Sequence, residues 1–314
     1  MIEVRDLTKD YGPRRAINKL NFTVNKGEVV GFLGPNGAGK STTMKIITGF
    51  MAPSSGTAMV AGFDVFESPL EVKKRIGYLP ETPPVYTDMF VHDYLTYVAE
   101  LKQVPKEKIK AQVDRALEKT NLTGVQKRLI QNLSKGYRQR VGIAQALVSN
   151  PEVLILDEPT VGLDPKQVAE IRDLIKELRG HHTIILSTHI LSEVQATCER
   201  VIIIHQGQIV AQDRIENLAT QERGQSRLTI RTRKEVADLK KVLSGIEGVL
   251  AVTHGATTRD WEVNIRGDES IVDAISSRVV GEGLGLLELS PHKMDLEDVF
   301  LKLTYGSDEK GAQV

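Results

Sequence analysis

The chain has 314 residues, 40% of them hydrophobic and 26% charged, the balance of a soluble globular protein too long for one core, so two domains are expected. Its 41 Lys and Arg are matched by 41 Asp and Glu, which excludes the basic excess of a nucleic-acid coat or a polybasic membrane anchor. A single cysteine, Cys198, excludes an internal disulfide framework and any multi-cysteine metal site.

In chain order, Met1 to Lys9 carries no apolar signal segment and reads as the start of a strand. Val29-Val30-Gly31-Phe32-Leu33 is the first of four continuous apolar runs, followed by Val153–Leu156, Thr183–Leu186 and Val201–Ile204. Short β-branched runs of this kind suit strands of a parallel sheet buried on both faces. The charge-free stretch Gly49 to Phe63 is broken by Pro53, Gly56 and Gly62 and cannot span a bilayer. Residues 86–150 read as a helical insertion between two sheet strands, with Tyr94, Val98 and Leu101 on one stripe and Ile109, Val113 and Leu117 on another. Asp164-Pro165 is an N-cap followed by proline at the first helical position, and Val168, Ile171, Ile175 and Leu178 continue that helix. This is the grammar of an α/β fold.

Composition changes near residue 220. Residues 220–226 are polar and read as a linker after a first domain of 1–219. Beyond them the pattern predicts a strand (227–232), a helix (235–244), two strands (249–254, 260–266), a helix (269–280) and a strand (285–289), with a last helix from Asp295 to Leu303. That order predicts a small α+β, ferredoxin-like domain over 227–305, followed by a tail, 306–314. Trp261 reads as part of its core, and Cys198 as a buried, inert thiol. Residues 221–314 hold 13 basic and 16 acidic residues, so the second part is mildly acidic and suits protein contact rather than DNA.

Gly34-Pro35-Asn36-Gly37-Ala38-Gly39-Lys40-Ser41 fits G-x-x-x-x-G-K-[ST], directly after the strand 29–33 and before a helical stretch from Thr42 to Thr48. Glycines let the backbone curl so that successive N–H groups face a phosphate chain, and the helix N-terminus adds positive potential. Lys40 is expected to reach the β- and γ-phosphates, and Ser41, at the start of the helix with Thr42, to hold Mg²⁺. Val153–Leu156 runs into Asp157 and Glu158, which places two carboxylates at the carboxyl edge of the sheet: Asp157 for Mg²⁺, Glu158 for the attacking water. No Asn-Lys-x-Asp motif for guanine follows, since Asn18-Lys19 continues as Leu20-Asn21.

Leu133-Ser134-Lys135-Gly136-Tyr137-Arg138-Gln139-Arg140, some twenty residues before the acidic strand end, resembles the signature segment of the ABC transporter ATPases. So does Leu156-Asp157-Glu158-Pro159-Thr160-Val161-Gly162-Leu163-Asp164-Pro165. The resemblance covers residues 1 to about 215. It implies a P-loop NTPase fold with a helical insertion, ATP with Mg²⁺, and ATP hydrolysis. It further implies that Tyr11 stacks on adenine, that His189 is the switch histidine, and that Ser134, Gly136 and Asp164 cover the ATP of a second subunit, in a homodimer or a heterodimer. Two departures stand out: Glu81 where the family usually has glutamine, and Lys135 and Tyr137 where glycine and glutamine are commonest. Together with the C-terminal part, these resemble the subgroup serving ABC-2 type exporters, including drug-export and gliding-motility transporters. The resemblance thus implies a cytoplasmic subunit, peripheral on the inner face of the membrane, that powers a separate multi-span permease, with no nucleic-acid partner. An importer ATPase with a regulatory tail, or a soluble ABC ATPase acting on ribosomes or DNA, are the alternatives.

Overall fold

A computed structural model describes residues 1–221, 225–255, 257–266, 269–293 and 300. The chain divides into two compact units, Met1–Ile215 and a second that begins at Glu216. Among the described residues no helix is long and apolar enough to cross a membrane.

The first unit opens with β1 (Ile2–Tyr11) and β2 (Arg14–Val24), an antiparallel pair joined at Gly12. β3 (Val29–Leu33) leads through the glycine-rich loop into α1 (Lys40–Ile47), which starts two residues earlier than the pattern predicts. β4 (Ser55–Val60), the two-residue β5 (Phe63–Asp64), α2 (Pro69–Arg75) and β6 (Ile76–Leu79) follow. Then come α3 (Val91–Leu101), α4 (Lys106–Lys119) and α5 (Lys135–Leu147), the helical insertion. β7 (Val153–Asp157), α6 (Pro165–Leu178), β8 (Thr183–Thr188), α7 (Leu191–Thr197), β9 (Arg200–His205) and β10 (Gln208–Arg214) complete the unit.

The main sheet has the order β10-β9-β3-β8-β7-β6, parallel except where β10 meets β9. Strand alternation sorts its side chains into two layers. Val30, Phe32, Val153, Ile155, Ile185 and Ile202 join the cluster shared with β1, β2 and β4, while Val29, Leu154, Leu156, Ile184 and Leu186 pack with Ile171, Ile175 and Leu178 of α6. Coverage of both faces explains why these strands read as unbroken apolar runs. The carboxyl ends of β3, β8, β7 and β6 lie side by side, so the segments that follow them meet at one edge.

The insertion has its own core, in which Tyr94, Leu95, Val98 and Ala99 of α3 meet Val113 and Leu117 of α4 and Val141 and Ala144 of α5. Leu101 departs from its predicted stripe. It is 62% exposed, because α3 ends there and Leu95 and Ala99 take the inward positions.

The second unit contains α8 (Ile215–Gln221, its first residue in the first unit), β11 (Gln225–Thr232), α9 (Leu239–Val242), β12 (Val249–His254), β13 (Asp260–Arg266), α10 (Glu269–Gly281) and β14 (Leu286–Lys293). Its antiparallel sheet runs β12-β13-β11-β14, which is the ferredoxin-like order. Trp261 is buried with Leu228, Ile230, Val263 and Ile265 on the core face. Two expectations fail here. The segment 220–226 is not one linker, since α8 takes its start and β11 its end. The helix expected from 235 begins only at Leu239. The amides of Arg233 and Lys234 still pair with the carbonyls of Gly285 and Leu284, and Asp238 then caps the helix through the Lys240 amide. The last helix expected, Asp295 to Leu303, lies outside the described residues except for Phe300.

Gly77 of β6 touches α5 so closely that a Cβ would overlap the carbonyl oxygen of Ala146. Gly77→Ala should therefore cost about 1–3 kcal/mol, read as a lower Tm in calorimetry. Cys198 packs against the α6 layer, and burial pushes its thiol up to about 12. At pH 8 its reaction with a disulfide reagent should run roughly a thousandfold slower than that of a free cysteine and recover on unfolding in guanidinium.

Candidate active site

The glycine-rich loop closes only where side chains are missing. Gly39 has φ +110°, and a Cβ there would lie 2.7 Å from Ile17 Cγ2 and 2.9 Å from the Ala16 carbonyl oxygen. No side chain caps the start of α1, so its first-turn amides are left for an anion. Lys40 is buried, and its Nζ donates to the carbonyl oxygens of Gly34 (2.8 Å) and Pro35 (3.3 Å).

A cleft of about 660 Å³ lies above this loop, lined by Tyr11, Asn36, Gly37, Gly39, Lys40, Ser41, Thr42, Glu81, Glu158 and His189, with Arg14, Ala16 and Val161. It therefore gathers residues from β1, β2, the phosphate loop and the ends of β6, β7 and β8. Gly34 and Ala38 belong to the same loop but are buried and do not line the cleft.

Asp157 ends β7 and is buried; its Oδ1 accepts from Ser187 Oγ of β8 at 2.7 Å. Burial pushes its carboxyl above the usual range and the Glu81 charge adds to this, while hydrogen bonds from Ser187 and Ser41 and the Lys40 charge oppose it. Glu158 follows with φ 50°, a left-handed conformation that side chains other than glycine seldom adopt. Its amide donates to the Ser187 carbonyl at 2.8 Å. The buried Glu158 carboxylate then meets His189 Nδ1, 3.0 Å from both its oxygens, and Lys40 Nζ at 3.6 Å.

A second buried carboxylate braces the turn. Glu193 of α7 accepts from Thr160, in the loop after β7, and from Thr188, at the end of β8, the latter at 2.9 Å. Arg14, Ala16 and Glu193 escaped the sequence reading, while Val161 entered it only as part of the segment Leu156–Pro165. Only Arg14 and Ala16 left a signal there, as alternate residues just after the turn that carries Tyr11.

Ser134, Gly136 and Asp164 do not line this cleft. Ser134 caps α5, its Oγ accepting from the Tyr137 amide at 3.3 Å, and Asp164 caps α6, accepting from the Gln167 amide at 2.9 Å. The Gln167 side chain lies against Gly136 and Lys135 Nζ lies over Gly162, so the two caps touch each other.

Residues 17–161 match the ABC transporter family. The chain is 33% identical over 308 residues to the bacitracin transport ATP-binding protein BcrA of Bacillus licheniformis, covering 98% of each protein. It is 31% identical over 309 residues to the linearmycin resistance ATP-binding protein LnrL of Bacillus subtilis (strain 168), covering 97% of this chain and 98% of that one. Among solved structures, the ATP binding subunit of an ABC transporter matches with a TM-score of 0.65 at 30% identity, over 70% of this chain and 92% of that one. Dimeric MJ0796, a bacterial ABC transporter cassette, matches with a TM-score of 0.63 at 25% identity, over 68% of this chain and 98% of that one. The chain belongs to the ABC transporter ATP-binding proteins. It is an ATP-binding, ATP-hydrolysing subunit of the kind that energises a separate permease.

Because Glu193 holds both loops that flank Glu158 and His189, Glu193→Ala should leave the hydroxyl protons of Thr160 and Thr188 without their acceptor, costing about 1–3 kcal/mol. ATPase assays should show kcat falling more than about tenfold with little change in KM if the two residues it positions, Glu158 and His189 of the cleft, act in the chemical step.

Proposed function

We propose that this chain drives an exporter of the ABC-2 type, as one of two ATPase subunits bound to the cytoplasmic face of a membrane permease. The observation that carries this reading is similarity that extends through the second unit. The relatives named for bacitracin transport and linearmycin resistance match over 97–98% of the chain. Its cargo would be a compound of the kind those names carry.

In this reading Tyr11 stacks on adenine, while the amides of the loop from Gly34 to Gly39 and of the first turn of α1, with Lys40, take the phosphates. Phosphate oxygens replace the loop carbonyls that Lys40 now contacts. The Ser41 hydroxyl and the Asp157 and Glu81 carboxylates are hard oxygen donors that suit Mg²⁺. Bound there, the ion would neutralise phosphate charge. Among the described residues no group of three or more His, Cys, Asp or Glu could hold a metal alone, so nucleotide oxygens would complete the set. Glu158 takes the proton of the attacking water, and His189 orients that carboxylate and contacts the γ-phosphate. Ser134, Gly136 and Asp164 face the ATP of the second subunit, so ATP closes the dimer and hydrolysis reopens it. The helical insertion and the turn after Glu81 pass that motion to the permease.

Glu158→Gln should keep wild-type affinity for ATP, accumulate as an ATP-bound dimer on size-exclusion chromatography and lose at least about a hundredfold in ATPase rate. Hydrolysis at the wild-type rate would refute the role given to Glu158. Co-purification of the chain with a multi-span membrane protein tests the transporter assignment, and stable association with ribosomes or DNA instead would overturn it.

A further inference from the structure

We propose that Arg14 is a nucleotide-binding residue that grips the phosphate nearest the sugar, an inference that rests on reading the cleft as the ATP site. Two arginines open β2, and the alternation of the strand separates them. Arg15 faces away from the cleft, and its guanidinium is occupied by Asp10, with Nε donating to Oδ1 at 2.8 Å. Arg14 and Ala16 both line the cleft. Among the described residues, Arg14 makes no ion pair.

Ala16 fixes where Arg14 stands along the nucleotide. Its carbonyl oxygen closes on Gly39, at the foot of the phosphate loop. Arg14 is paired with Tyr11 in the β1–β2 ladder while Ala16 stands at the loop, so the interval between Tyr11 and the loop is bounded by these two residues of β2. A nucleotide with its base at Tyr11 and its outer phosphates in the loop passes its first phosphate through that interval. β2 also adjoins the β9–β10 turn, where the Asn18 amide donates to the Gly207 carbonyl at 2.8 Å. That turn is at the opposite end of the sheet from β6, the strand that Glu81 follows. Arg14 is thus on the sugar side, away from Glu81. A guanidinium fork suits the phosphate it meets there, while Lys40 stands at the far end of the loop, where the outer phosphates are taken.

The test is calorimetric titration of the full chain with AMP, ADP and ATP in magnesium-free buffer. Arg14→Ala should raise the Kd of all three by a similar factor, about tenfold, and Arg14→Lys should recover part of the loss. Wild-type affinity for ADP would overturn the inference, as would weakening of ATP alone, which would put the guanidinium at the γ-phosphate, or of ADP and ATP without AMP. Tyr11→Ala and Lys40→Ala are titrated alongside. If they weaken ADP binding and Arg14→Ala does not, only the role of Arg14 fails. If none of the three weakens it, the cleft is not the nucleotide site.

Discussion

The first unit is organised around a buried negative charge. Glu158 is enclosed at the carboxyl edge of the sheet, and a carboxylate there is tolerated only if cations or donors meet it. Lys40, from the loop after β3, and His189, from the loop after β8, supply them. One side chain after β7 therefore ties together the ends of three adjacent parallel strands. The left-handed backbone at Glu158 is the strain this arrangement carries, fixed by the hydrogen bond from its amide to the Ser187 carbonyl on one side and by the Glu193 brace on the other. On the proposed reading, the groups set against each other in this way are the ones that hold a water and a phosphate in line.

The layers of the sheet were legible in the sequence because burial on both faces leaves a signal that no helix of that length gives, and the glycine-rich loop because its chemistry allows few alternatives. Asp157 and Glu158 were legible from their place at a strand end. Glu193 was not: a glutamate near the start of a short helix reads as a solvated first-turn acid, and its burial follows only once Thr160 and Thr188, from two different loops, converge on it. The same limit explains α9, where pairing between Arg233–Lys234 and Leu284–Gly285 overrides a local helical pattern. What escaped depends on contacts between segments far apart in the chain.

Charge neutrality also has a local form. On the open face of the second unit's sheet, Arg231 is bound to Asp260 at 2.6 Å and lies near Glu288, and Arg227 pairs with Glu262 across the strands. The Arg231 guanidinium holds the Asp260 carboxyl below its usual range. The sheet thus has an apolar face covered by its own helices and a face on which these charges pair across neighbouring strands.

The signature segment raises a geometric point of its own. A residue that binds the nucleotide of its own subunit should line the cleft, yet Ser134, Gly136 and Asp164 do not. They are caps and turns whose side chains and backbones are mutually packed through Gln167 and Lys135. Lys135 and Tyr137 fit that packing differently: Lys135 lies over Gly162, while Tyr137 remains 40% exposed. On the proposed reading, Lys135 bridges the start of the signature helix and the turn that leads to Asp164, the two segments that face the second subunit's ATP.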